Sequence, residues 1–384
     1  MRKVISGFMA DLLRSRIRAG IFVLAFLQFK NLRHTLKAVS EIKSKRMDVQ
    51  GSSKIRKFFK TDGRYFFIDN IPGWPSEAFK GYIRKEINRH AQNGVQKTSL
   101  STVFVSITSK CPLRCNHCYE RENLSTDEFL SLNDLKAIIK KLKDYGVNHI
   151  QLSGGEPLSR FDDLLSLIDY SKKDADIWIN TSGFGLTREK ALMLKKAGLT
   201  GAEISLDHWD ETSHNIFRGN ENAYRWAIEA ARNCSKANII TSFSLCATNS
   251  FVSKDNLLKF AKLASSLQVS FIRLLEPKET ATFNAKEVSL SDIQISELED
   301  FFLTASVRDD NPEFPIISYP SFHQRREGCL GAGNRYLYID PRGEIHACPF
   351  CRHPAGNAVT GSIEEAAGIL RSGGCRLYKT NLSG

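Results

Sequence analysis

Six short runs of β-branched or apolar residues alternate with amphipathic helical text from residue 101 onward, and this alternation constrains the chain most. The runs are Thr102–Ile107, His149–Leu152, Ile177–Ile179, Ala202–Leu206, Ile239–Leu245 and Phe271–Leu275. Between them, Leu132–Lys143, Arg188–Ala197 and Ala223–Ser235 carry apolar residues at helical spacing. Strand–helix repeats of this kind require parallel strands with right-handed crossovers. The expected fold is therefore α/β, a partial (β/α)6 TIM-like barrel over residues 100–315. In such barrels the reactive groups sit on loops after the C-terminal ends of the strands. Each motif can be judged by whether it falls there.

Charge is distributed unevenly. Residues 1–60 hold 15 Lys/Arg against 3 Asp/Glu, a net +12 that equals the net charge of the whole chain. The body is neutral, which argues against a basic nucleic-acid groove; no nucleic-acid partner is expected. Most of the excess, 11 Lys/Arg against 3 Asp/Glu, lies on an N-terminal arm, residues 1–48, where Val4, Ile5, Phe8, Met9, Leu12, Leu13 and Ile17 recur at helical spacing. The apolar stretch Ala19–Phe29 is shorter than the roughly 20 residues a membrane span needs. Its flanking Arg and Lys fit a helix lying in the interface of an anionic membrane. The other reading is a helix packed on the enzyme body or on a partner subunit. No cleavable secretory signal is evident, so the expected location is the cytoplasm, peripheral at the inner face of the membrane if the arm binds lipid. Residues 49–99 read as a connector, broken at Gly51-Ser52-Ser53 and at Ile71–Pro75.

Nine cysteines, most of them in two groups, suit metal binding better than a disulfide framework. Cys234 and Cys246 stand apart and read as small buried hydrophobes. Cys111-Pro-Leu-Arg-Cys115-Asn-His-Cys118 follows directly on the first strand. Three thiolates on one loop can hold three corners of a cubane cluster and leave one iron open. A zinc ribbon would need a fourth ligand nearby, and none follows soon after.

This spacing, three then two residues apart, resembles the signature of the radical S-adenosylmethionine superfamily. Ser153-Gly154-Gly155-Glu156-Pro157 after the second strand resembles the segment whose backbone holds the methionine amino group. Two glycines permit close approach of the chain to a ligand, and Pro157 fixes the exit. Asn180-Thr181-Ser182-Gly183 and Ser205-Leu206-Asp207 end the third and fourth strands, where the family contacts ribose and carboxylate. His214 with Phe217-Arg218-Gly219 resembles a further element of many members. His117 takes the place of an aromatic that stacks on adenine. The resemblance implies a [4Fe–4S] cluster on Cys111, Cys115 and Cys118, whose open iron chelates S-adenosylmethionine. It further implies reductive cleavage to a 5′-deoxyadenosyl radical that abstracts hydrogen from substrate. A low-potential donor of flavodoxin or ferredoxin type would supply the electron.

Cys329, Cys348, Cys351 and Cys375 form the second set, in an extension over residues 316–384. Tyr336–Cys348 reads as a β-hairpin turning at Asp340-Pro341-Arg342-Gly343. The pattern resembles the shortened, twitch-like form of the SPASM extension, which implies a second, auxiliary [4Fe–4S] cluster. A zinc knuckle on the same thiolates stays open, as does the role of Cys375, which 23 residues separate from Cys351. Without Cys375, the auxiliary cluster would have an open iron.

Glu276 ends the sixth strand and is either an acid, base or substrate anchor, or a salt-bridge partner of Arg273 or Lys278. The basic apolar arm favours a lipid or polyprenyl substrate, with peptide maturation or a small soluble substrate as alternatives. A winged-helix peptide-binding domain is not expected in residues 49–99, which show no paired strands around a helix–turn–helix. A non-catalytic iron–sulfur protein is disfavoured, because an electron carrier needs none of the cofactor-binding elements at 153–157, 180–183 and 205–207.

Overall fold

The structure, a computed structural model, describes residues 3–50, 56–91, 100–279, 288–308, 311–329, 331–375 and 378. Its centre is a run of six parallel strands, β4 (Thr102–Ser106), β5 (His149–Ser153), β6 (Asp176–Thr181), β7 (Gly201–Ser205), β8 (Ile240–Cys246) and β9 (Phe271–Leu275). The connecting helices are α4 (Leu132–Asp144), α5 (Phe161–Ser171), α6 (Arg188–Ala197), α7 (Glu211–Arg218), α8 (Ala223–Lys236) and α9 (Lys254–Ser266). Side chains alternate across each strand. Val103, Val105, Ile150, Leu152, Ile177 and Ile179 point outward into a core shared with Leu135, Ile138, Leu164 and Leu167 of the helices. Local chemistry sets the ends of the helices. Ser131 and Asp134 form a capping box before α4, of the kind that contributes about 1 kcal/mol. Gly198 and Gly219 stop α6 and α7 at φ 114° and 64°.

The six expected strands and three expected helices are all present. The C-terminal extension, however, is not set apart from the barrel. After α10 (Asp292–Phe302) comes β10 (Ile316–Ser318), which pairs in parallel with β9. After α11 (Pro320–Glu327), β11 (Tyr336–Ile339) pairs in parallel with β4, Tyr336 opposite Thr102 through Ile339 opposite Val105. The expected hairpin forms between β11 and β12 (Ile345–His346), with the Gly343 N–H closing the turn onto the Asp340 carbonyl at 2.9 Å. The sheet thus runs β10-β9-β8-β7-β6-β5-β4-β11-β12. A last helix, α12 (Ile363–Gly373), packs its Ile363, Ala366, Ala367 and Leu370 into the same core.

The N-terminal region differs more from expectation. Instead of one helical arm, β1 (Lys3–Ile5) precedes α1 (Gly7–Phe29) and α2 (Leu32–Gln50), which part at Lys30 in the left-handed conformation, φ 48°. The connector holds β2 (Phe58–Thr61), β3 (Arg64–Phe66) and α3 (Glu77–Ala91). β1, β2 and β3 make an antiparallel sheet, so paired strands are present where none was expected. Their turn is Asp62-Gly63, both at positive φ (48° and 74°), the dipeptide that matches a two-residue hairpin loop. The Gly51-Ser52-Ser53 break falls outside the described residues.

This N-terminal layer closes the bottom of the barrel. Phe59 and Phe66 pack on Trp178, Ile240 and Phe271, the inward residues near the starts of β6, β8 and β9. Asp69 reaches the lumen, where its carboxylate lies 2.9 Å from Arg273 Nε, while Arg273 Nη1 lies 2.9 Å from Glu203. On the outer side of this floor, α1, α2 and α3 share a second core around Leu13, Ile17, Ala38, Phe58, Phe79 and Ile83. No helix of the described residues is long and apolar enough to cross a membrane.

Candidate metal centre

The loop after β4 carries Cys111, Cys115 and Cys118, which meet in an apolar recess with Leu113, Ala223 and Trp226. Burial pushes the Cys111 thiol up to about 12 and the Cys118 thiol up to about 11. Protons must therefore leave when a metal binds. Two neighbouring segments fix this loop. Arg114 and Asn116 donate backbone N–H bonds to the carbonyls of Arg218 and Phe217, at 3.3 and 2.9 Å. Gly155 and Glu156 donate theirs to Thr108 and Lys110, at 2.8 and 2.7 Å. Both contacts need glycine. A Cβ on Gly155 would lie 2.3 Å from the Lys110 carbonyl oxygen, and one on Gly219 would lie 2.7 Å from that of Arg114.

The Glu156 side chain is engaged within the protein. Its buried carboxylate accepts from Thr181 Oγ1 (2.7 Å), Ser182 N (2.7 Å), Ser182 Oγ (2.5 Å) and Leu158 N (3.1 Å). Its role is to brace the 181–183 turn against the glycine loop. Burial raises its pKa despite these four donors. Asn180 stands beside this brace with Oδ1 buried and without a hydrogen bond. Ser153 and Ser205 end β5 and β7, the first buried and the second half-buried.

Asp207 and Arg218 form a buried ion pair, Nε to Oδ2 at 2.5 Å. Asp207 also accepts from the Cys246 N–H at 2.9 Å, and its own N–H donates to His214 Nδ1 at 3.1 Å. Burial alone would raise the Asp207 carboxyl; the Arg218 charge outweighs it and holds the group ionised. Arg218 Nη1 then lies 3.7 Å from Cys115 Sγ, a cation placed against a ligand sulfur. His117 stacks on Phe217 at 4.6 Å and 12°, and burial pushes its pKa down to about 4, so the ring is neutral. Cys234 and Cys246 are buried, in keeping with their reading as packing residues.

Of the two readings for Glu276, the structure makes the ion pair. Its carboxylate accepts from Tyr319 Oη and Arg325 Nη1, each at 2.5 Å, and lies 3.4 Å from Lys278 Nζ. Burial works against ionisation, but these donors hold its pKa below the usual range. Three donors thus engage its two oxygens and hold it ionised. Glu276 instead ties β9 to α11. Arg273, the other partner considered, is engaged by Asp69 and Glu203.

The second set also comes together. Cys329 and Cys375 share a hydrogen bond, as do Cys348 and Cys351, and all four thiols act on the buried Tyr336 hydroxyl. Cys375, the least determined by spacing, is thus beside Cys329. Among the described residues, no three of the seven clustered thiols lie mutually within 4.8 Å. A zinc ion at about 2.3 Å from each sulfur holds them about 3.8 Å apart. The all-thiolate ligand sets suit an iron–sulfur cluster, and the apolar, glycine-cradled recess with the orphaned Asn180 Oδ1 fits S-adenosylmethionine beside the first of them.

Sequence reasoning missed the link between the two sets. Glu120, two residues after Cys118, is buried and accepts from Tyr338 Oη and from Arg352 Nη1 and Nη2. Tyr119 meets Phe350 edge-on at 6.1 Å. Glu120 follows the motif immediately, but nothing local shows that its partners lie more than 200 residues away.

Residues 105–264 match the family described as "Radical SAM superfamily". Among curated relatives, Fe-coproporphyrin III synthase of Methanosarcina barkeri is 34% identical over 168 residues, 43% of this chain and 41% of that one. Mycofactocin maturase MftC of Mycolicibacterium smegmatis is 28% identical over 264 residues, 66% of each chain. The chain thus spans less than half the length of the first relative and about two thirds of the second. Among solved structures, Streptococcus suis SuiB bound to precursor peptide SuiA matches with TM-score 0.61 at 14% identity, over 90% of this chain and 80% of that one, a likeness of fold. With its cysteine loop, glycine cradle and Asp207–Arg218 pair at the strand ends of a partial barrel, the segment 105–264 of this chain matches the radical SAM superfamily, whose enzymes use a [4Fe–4S] cluster and S-adenosylmethionine.

Proposed function

We propose that this chain is a radical SAM enzyme acting on a peptide, with Cys111, Cys115 and Cys118 holding the catalytic cluster. We also assign Cys329, Cys348, Cys351 and Cys375 to an auxiliary cluster. The cluster and S-adenosylmethionine, when bound, supply one-electron cleavage and hydrogen abstraction. The chain's own residues do the rest: Gly154 and Gly155 let their turn pack against the backbone leading into the cysteine loop, Glu156 holds the 181–183 turn, and Arg218 sets a positive charge against Cys115.

The observation that carries the substrate class is the polar lumen. On the same strand faces as the floor residues Trp178 and Phe271 stand Gln151, Asn180, Glu203, Ser242 and Arg273. Gln151 Oε1, Ser242 Oγ and Arg273 Nη2 are buried and make no hydrogen bond among the described residues. Such groups are costly when faced with an acyl chain and favourable when faced with amides. The lipid or polyprenyl preference rested on the arm alone and gives way. Two further points support a peptide. MftC and SuiB are a maturase and a peptide-bound protein by name. The β1 edge is also open among the described residues, and an extended peptide can pair with such an edge.

The test is to give the reconstituted enzyme, under reductant, either the small-peptide fraction or the total lipid extract of its source cells. Production of 5′-deoxyadenosine should rise above the substrate-free rate with peptide alone. A rise with lipid alone would refute the reading.

A further inference from the structure

α1 turns one face into the protein and the other to solvent, and the solvent face is unusually apolar. Ala10, Leu13, Ile17 and Ala25 are buried against α2, α3 and Phe58. Phe8, Met9, Leu12, Val23, Phe26 and Leu27 are instead 44–80% exposed. At helical geometry these six fall within about 100° of arc, as two groups along a stripe about 28 Å long with exposed Arg16 and Ala19 between them. Exposed apolar residues scattered singly need no explanation, but groups aligned on one face mark an interaction surface.

Its surroundings choose the partner. Arg16 lies within the stripe, and Arg18, Lys30, Arg33 and Lys37 stand exposed around and beyond it. Asp11 is the one acidic residue of α1, and Arg14 pairs with it. The stripe is the outer wall of a helix and therefore convex, whereas pockets for small ligands are concave. A convex apolar face with exposed cations within it and beyond its C-terminal end matches a flat, fluid, negatively charged surface.

We propose that α1 lies in the interface of an anionic bilayer, with the Phe8–Leu27 stripe in lipid and the basic residues at the headgroups. The same packing fixes an orientation. α1 sits on the layer that closes the N-terminal ends of the barrel strands, while the cysteine loop and the cavity of about 370 Å³ lined by Asn116, Phe217, Asn249 and Pro277 lie at the opposite ends. Docking through α1 holds this mouth away from the lipid, toward the aqueous side.

The experiment is co-sedimentation of the full chain with phosphatidylcholine vesicles, with and without phosphatidylglycerol. Wild type should bind the phosphatidylglycerol vesicles at least roughly tenfold more tightly. V23D/L27D should release it while the chain stays folded, its melting temperature lowered by no more than a few degrees, since both side chains are more than half exposed. R33E/K37E should remove the preference for phosphatidylglycerol. Failure of wild type to pellet, or equal binding by both variants, overturns the proposal. So does a wild-type dimer that V23D/L27D converts to monomer without any vesicle binding, which would make the stripe an interface between two copies.

Discussion

Gly155→Ala is a single methyl placed where two chain segments touch. The new Cβ would meet the Lys110 carbonyl oxygen at 2.3 Å, its carbon at 2.7 Å and Cys111 Cβ at 3.0 Å. Ordinary carbon–oxygen contact begins near 3.3 Å, so the segments must part by about 1 Å. The nearest atoms are backbone and cannot rotate away. Overpacking of this kind costs roughly 1–3 kcal/mol. Parting also strains the bonds from Gly155 N to Thr108 O and from Glu156 N to Lys110 O, each worth about 1 kcal/mol. The total is roughly 3–5 kcal/mol, concentrated on the residue before Cys111. The assay is iron and sulfide content after anaerobic reconstitution, with a thermal melt. Gly373→Ala serves as control, because nothing lies within 4 Å of its Cβ position. Gly155→Ala should lose about four irons, keep about four at the second cysteine set, and melt several degrees lower. Full iron content with an unchanged melt would refute the packing argument.

Other outcomes follow from the same geometry. Wild type should bind about eight irons, and Cys111/Cys115/Cys118→Ala about four; zinc in place of iron in that variant would support a knuckle at the second set. A double-mutant cycle of Glu120→Gln with Arg352→Gln should give a coupling of roughly 1–3 kcal/mol in urea melts, and zero coupling would unlink the two loops. Burial pushes His149 and His214 down to about 3 and His323 to about 4, so each stays neutral in the folded chain. Below the unfolded histidine value of about 6.5 the unfolded chain takes up protons that the folded one refuses, and stability is lost as pH falls. Glu203, raised to about 7 by burial, acts in the opposite sense between 4.5 and 7. With His117, likewise down to about 4, four histidines oppose Glu203 and Glu156, and stability falls by roughly 2–4 kcal/mol per pH unit from about 6 to 5; a flat or opposite slope in urea melts would contradict these environments.

The barrel and its strand-end motifs were legible because both are local. Period-two and period-3.6 patterns mark strands and helices, and glycines beside cysteines mark close approach. What stayed hidden is pairing over distance. Nothing in Tyr336–Ile339 announces that it continues the sheet beside Thr102–Val105, and nothing in Asp69 names Arg273 as its partner. One local signal was present and went unread: Asp62-Gly63 between two short apolar runs is a hairpin turn, and it reveals the paired strands of the N-terminal layer. Charged residues at inward positions of strands, Glu203 and Arg273, were a second such signal, pointing to a polar lumen before any coordinates.

The central claim, that the loop of Cys111, Cys115 and Cys118 supports reductive cleavage of S-adenosylmethionine, has one direct test. The reconstituted chain is mixed anaerobically with S-adenosylmethionine and dithionite, and 5′-deoxyadenosine is quantified beside the Cys111/Cys115/Cys118→Ala variant. Wild type should form 5′-deoxyadenosine and the variant none, while the variant keeps its second-set iron. A fully iron-loaded wild type that forms none, or a variant that forms as much as wild type, would contradict the account.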